Sequence, residues 1–156
     1  MKKIDAGQFI GLLANLGTLV GLLLLVFELN QNRQLTRAQI RHELSMGIVE
    51  HLDVVANNSQ LADVIRRGSS GEELTPDERT QFTMRSNAVL RYWEDVHYQY
   101  RQGLYDESEF EKQREAWVDS LSRSAGLVAY WCANQKLYSA DFAKEIDGAL
   151  TTHKCK

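Results

Sequence analysis

The sequence predicts an all-α chain: one N-terminal transmembrane helix, continuing into a long helix, and then a helical soluble domain. Three observations carry this reading. Residues 6 to 27 hold no formally charged side chain. The single proline, Pro76, sits at a helix start, and the glycines fall mostly within the first 21 residues or at apparent helix ends, a distribution that favours helices over sheets. In the remainder, apolar residues recur every three or four positions without strand alternation.

The uncharged stretch from Ala6 to Phe27 is 22 residues long. As a helix it covers about 33 Å, enough for a hydrocarbon core of about 30 Å. A cleaved signal peptide is the rival reading, because Lys2 and Lys3 precede the stretch. Against it, the stretch is longer than an ordinary signal core and ends in Val26-Phe27-Glu28-Leu29, with no small-x-small cleavage site. The expected layout is a flank at 1–5, a transmembrane helix at 6–29, a helical soluble domain at 30–150 and a disordered tail at 151–156.

At 100° per residue, Gly7, Gly11, Ala14, Asn15, Gly17, Thr18 and Gly21 share one half of the helical wheel. Leucines, Val20 and Phe27 fill the other. Small residues let helix backbones approach closely, and Asn15 and Thr18 can hydrogen-bond across such a contact. This face is the expected helix–helix interface, occupied by a second copy of the chain or by a different membrane protein. Beyond the membrane, Arg33, Arg37 and Arg41 recur every four residues as a basic stripe, suited either to anionic headgroups or to solvent. Counting basic residues at the two ends gives Lys2 and Lys3 against these three arginines, a difference of one that favours the soluble domain in the cytoplasm.

The anchor helix is expected to continue through Ile40, Leu44, Ile48, Leu52 and Val55. Asn57-Asn58-Ser59 reads as a break and new cap, followed by a short helix ending at Gly68 and a Ser69-Ser70-Gly71 loop. Thr75-Pro76-Asp77-Glu78 is the clearest start in the chain, combining a capping threonine, proline at the first helical position and the glutamate of a capping box. That helix should reach Gln102, bury Phe82, Val89, Trp93, Val96 and Tyr100, and stop at Gly103. Asp106 to Glu109 reads as a second capping box, opening a helix with Phe110, Trp117 and Leu121. Leu127 to Lys136 forms another helix, and Ser139 caps a last one through Phe142, Ile146 and Leu150.

This order resembles a large, functionally uncharacterised family of small bacterial single-pass membrane proteins. The resemblance covers nearly the whole chain. It rests on Leu19-Val20-Gly21, Glu28-Leu29-Asn30-Gln31-Asn32, Thr36-Arg37-Ala38 and Leu74-Thr75-Pro76-Asp77-Glu78-Arg79 with Phe82. It continues in Glu94, in Tyr98-Gln99-Tyr100-Arg101-Gln102-Gly103-Leu104, in Tyr130-Trp131 and in Tyr138-Ser139-Ala140-Asp141-Phe142. It implies an anchor in the plasma membrane, that is, the bacterial inner membrane, plus a helical domain, and no activity.

No catalytic motif or cofactor signature stands out. The net charge of −3 argues against nucleic acid as a partner. Glu94-x-x-His97 has the spacing used in carboxylate-bridged di-iron bundles, but such a site needs the pair twice with two further carboxylates. Glu94, His97 and Arg101 share one helix face and are the candidate polar groove for a small molecule. Cys132 and Cys155 lack any metal or redox spacing, so Cys132 is expected as a buried thiol and Cys155 as a free tail cysteine. Three function classes stay open. The first is a membrane-anchored interaction protein that self-associates in the bilayer, and the second a pore lined by the small and polar face. The third is a tethered enzyme.

Overall fold

In the computed structural model the described residues are 6–150 and Cys155. The expectations for the 1–5 flank, including Lys2 and Lys3, and for 151–154 and 156 of the tail lie outside them. Among the described residues there are six α-helices, one 3₁₀ turn and no strand. The elements are α1 (Ala6–Ala56), α2 (Ser59–Ser70), α3 (Pro76–Arg101), α4 (Glu107–Arg123), α5 (Ala125–Asn134), the turn Gln135–Leu137 and α6 (Ala140–Ala149). The chain divides into two compact units, Met1–Gln39 and Ile40–Lys156.

In the first unit, α1 is helical through every described residue, and its side chains are exposed from Gly7 onward. Large apolar residues such as Leu13, Leu19, Leu23 and Phe27 therefore lie open along this part of the helix. By length and composition α1 is able to cross a membrane. No part of its apolar stretch is buried within the chain.

The second unit begins with the last turns of α1. Leu44 is buried there, Ile40, Ile48 and Val55 are half-buried, and Leu52 points outward. Arg41 pairs with Glu109 of α4 at 2.7 Å, which fastens these turns to the domain. The core gathers Leu90, Trp93, Val96, Trp117, Leu121, Trp131, Phe142 and Ile146. Its centre is aromatic. Trp93 stacks on Trp117 at 5.4 Å, and Phe142 meets Trp117 and Trp131 edge-on. Trp131 also donates its indole N–H to Asp147 at 3.0 Å, so this buried ring keeps its hydrogen bond.

The caps follow the local sequence in most places. Asn58 caps α2 by accepting from the Leu61 N–H, and Ser124 caps α5 by accepting from the Leu127 N–H. At α3 both halves of the capping box are present. At α4 the expected box is not. Asp106 occupies the cap position, but its side chain makes no capping bond.

One glycine serves a purpose different from the one expected. Gly68 does not end α2. It is buried inside the helix, which runs through Ser70 and stops at Gly71, in the left-handed region at φ 78°. Gly126, too, lies within a helix, α5. A Cβ on Gly126 would overlap the Gly68 carbonyl oxygen, and a Cβ on Gly68 would overlap the Phe82 ring. The two glycines mark the point where α2 and α5 cross backbone to backbone.

The cysteines require a further correction. They are neither a buried thiol nor a free tail thiol, because Cys132 and Cys155 form a disulfide with their Cα atoms 5.2 Å apart. The bond spans 23 residues and holds Cys155 against the helical core.

Candidate functional site

The sequence proposes three sets of functional residues. The first is the small face of α1. A Cβ placed on Gly11, Gly17 or Gly21 would meet nothing within 4 Å, so each has open space beside its backbone. The Thr18 hydroxyl donates to the Ala14 carbonyl at 3.0 Å. Its proton is thus satisfied within the helix, and the residue presents its methyl group and an oxygen lone pair outward. Gly7, Ala14 and Asn15 lie on the same described, exposed stretch.

The second set is the basic stripe. Arg41 is committed to Glu109, as above. Arg33 and Arg37 belong to the first unit, where both are exposed.

The third set, Glu94, His97 and Arg101, is met along its length by the C-terminal elements. Glu94 accepts the Ser139 backbone N–H at 2.7 Å and pairs with Arg91 at 2.6 Å. Burial works against ionisation of Glu94, but these bonds outweigh it and hold its carboxyl below the ordinary value. The carboxylate stands at the N-terminus of α6, where a negative charge and an acceptor are both favourable. Ser139 itself makes no side-chain capping bond. Arg101 pairs with Asp141 in the first turn of α6. Between them His97 is buried, with its ring about 6 Å from Phe110 and from Phe142. Burial pushes the His97 pKa down, so the imidazole is held neutral. Glu94 and Arg101 therefore hold the start of α6 against α3, with His97 buried between them.

An opening in the domain lies elsewhere. Helices α2, α3, α4 and α5 leave a cavity of about 340 Å³. Phe82, Val89, Trp93 and Leu127 supply its apolar walls, and Arg85 and the buried Ser86 supply polar groups. Nη1 of Arg85 is buried without a hydrogen-bond partner. No carboxylate of the described residues pairs with this guanidinium, and burial alone pushes its pKa down. A second arginine, Arg123, also lines the cavity, but it is largely exposed and paired with Asp119 one turn away. Among the described residues no group of three or more His, Cys, Asp or Glu side chains is arranged to hold a metal ion.

Sequence reasoning passed over Arg85 because one arginine on a helix ordinarily reads as a solvated position. The signal was present in the spacing. Arg85, Val89 and Trp93 repeat every four residues, so the charge lies in line with the apolar face. No known protein family, curated protein or solved structure matches the chain.

Proposed function

We propose that the protein is a single-pass membrane-anchored interaction module that self-associates through the small face of α1 and carries a helical domain outside the bilayer. One observation carries the reading. The residues from Gly7 to Leu29 form a charge-poor helix whose apolar side chains have no cover within the chain. Exposed apolar area on that scale requires lipid or another protein. The helix has the length to span the bilayer. Lipid tails are as apolar as leucine, so hydrophobicity cannot drive helices together within it. Close packing of small residues can. The open space at Gly11, Gly17 and Gly21 supplies such a face.

The domain is proposed to face an oxidising compartment. The Cys132–Cys155 disulfide supports this, because such bonds persist outside the cytosol and are rare within it. It weighs against the cytoplasmic placement drawn from the basic-residue count, which turned on two residues against three. The reading assigns no catalysis.

Self-association is tested by crosslinking in native membranes. Gly17→Ile and Gly21→Ile hold the backbones apart and should reduce the crosslinked oligomer. Leu16→Ile and Leu23→Ile sit on the lipid-facing half and should leave it unchanged. If the leucine variants dissociate while the glycine variants assemble normally, the assigned face is the wrong one. A monomeric wild type would give the small face to a different membrane protein.

A further inference from the structure

The cavity between α2, α3, α4 and α5, open to solvent at its mouth, combines an apolar wall with a positive charge that no carboxylate of the described residues compensates. A volume of about 340 Å³ lies at the lower end of the range of about 300–1,000 Å³ found for small-molecule pockets. A guanidinium nitrogen that is buried without a partner has lost its water with nothing in its place, and Nη1 of Arg85 is such an atom. Three arginines nearby are paired: Arg66 and Arg67 with carboxylates of the α2–α3 corner, and Arg123 with Asp119. Arg85 is the exception among the cavity residues. It extends from the middle of α3, flanked by Phe82 and Val89 one turn to either side. Seryl hydroxyls at Ser69 and Ser86 lie on the same lining and add donors for an oxyanion.

We propose that this cavity binds a small monocarboxylate with an apolar body, the carboxylate on Arg85 and the body against Phe82, Val89, Trp93 and Leu127. Charge decides between a carboxylate and a phosphate. One unpaired guanidinium balances one negative charge, whereas a phosphate dianion would bring a second charge into the apolar site uncompensated. The planar guanidinium also matches a carboxylate through two parallel hydrogen bonds. Apolar contact supplies the rest of the binding, so formate-sized anions are too small for the site. The proposal concerns the soluble unit alone and stands or falls separately from the self-association of α1.

The test uses the full chain in nanodiscs of zwitterionic lipid, with empty nanodiscs as the blank. Binding is followed by equilibrium dialysis, with tryptophan emission as a second readout because Trp93 lines the cavity. The probes are 3-phenylpropionate, the neutral 3-phenylpropanol and inorganic phosphate. Wild type should bind 3-phenylpropionate saturably and more tightly than the alcohol. Arg85→Met keeps an unbranched apolar stem and removes the guanidinium and its charge. It should weaken the carboxylate by roughly tenfold or more, as expected for a charge-assisted hydrogen bond, and leave the alcohol unchanged. Val89→Trp fills the cavity from its apolar wall and should abolish binding of both organic probes while Arg85 remains. It provides the decision if Arg85→Met does not fold. The proposal fails if wild type shows no saturable binding, or if phosphate binds as tightly as 3-phenylpropionate. It also fails if neither variant changes the affinity for the acid.

Discussion

Individual side chains set the acid sensitivity of the domain. Arg67 of α2 bridges two carboxylates. It bonds Asp63 on its own helix at 2.8 Å and pairs with Glu78, the capping-box glutamate of α3. Arg67 is the main cause that lowers the Glu78 carboxyl from its ordinary 4.5 to about 2, and the Thr75 backbone N–H reinforces it. A carboxyl whose folded pKa is depressed adds stability above its unfolded pKa and loses it as pH falls through the folded one. The contribution of Glu78 is therefore complete at neutral pH and disappears between pH 4.5 and about 2. Glu78→Gln should remove that acid limb, so its urea midpoint should fall less steeply over this window than that of wild type. Equal slopes would mean that the contact between the α2 and α3 ends contributes nothing in solution. His97 acts nearer neutrality. Burial pushes its folded pKa below the ordinary 6.5, so stability declines as pH drops below that value and the unfolded chain takes up a proton. His97→Phe should flatten the stability profile just below pH 6.5, measured by the same urea titration.

Elements join where backbones can approach, and at this scale the glycines are decisive. Gly126→Ala would drive a methyl group into the Gly68 carbonyl oxygen. That oxygen belongs to a helix backbone and cannot step aside like the end of a flexible side chain, so α2 and α5 must separate. The expected cost is about 1–3 kcal/mol or more, as for overpacking a tight core. Gly148→Ala is the control, since a Cβ there meets nothing within 4 Å. Removing a glycine from a helix should stabilise it by up to about 1 kcal/mol. Chemical denaturation of the two variants should thus shift in opposite directions. The same pair shows which parts of the fold were legible in the sequence. Helix starts depend on side chains within four residues, and Thr75-Pro76-Asp77-Glu78 was readable for that reason. Gly68 reads as a terminator because glycine serves equally at a helix end and at a close crossing, and only the packing of Phe82 from α3 against it, with α5 beside its carbonyl, distinguishes them. Ser86 and His97 were absent from the expected core face of α3 because both are polar, although both are buried with Leu90 along it. The Arg85 cavity arises from four helices packing together, and no local pattern describes a gap between them. Glu94 and Arg101 were recognised as sharing a face, but their partners on and before α6 lie about 40 residues away in the chain.

For the whole molecule, the disulfide links stability to location. Cys132 and Cys155 close a loop of 23 residues, which in the chain-entropy account stabilises a domain by about 3 kcal/mol. Reductant, or Cys155→Ser, should lower the urea midpoint accordingly, and reductant should have no further effect on the serine variant. Two cysteines distant in sequence gave no spacing pattern, and the fold alone brings their Cα atoms within 5.2 Å, inside the range that a disulfide spans. The consequence for the cell follows from compartment chemistry. A thiol pair held in the cytosol is kept reduced, whereas the same pair on the outer side of a bacterial inner membrane is oxidised. Thiols trapped by alkylation at the moment of lysis should therefore be few until the protein is reduced. On the proposed anchoring and orientation, protease added to intact spheroplasts should digest the helical domain and leave a protected fragment containing the apolar part of α1. The two measurements are independent, one reading redox state and the other access. Free thiols together with a protected domain would restore the orientation suggested by Arg33, Arg37 and Arg41. Oxidised thiols with a protected domain would break the link between bond and location. Oxidised thiols with a digested domain would place the domain, with its Arg85 cavity, among the solutes outside the membrane.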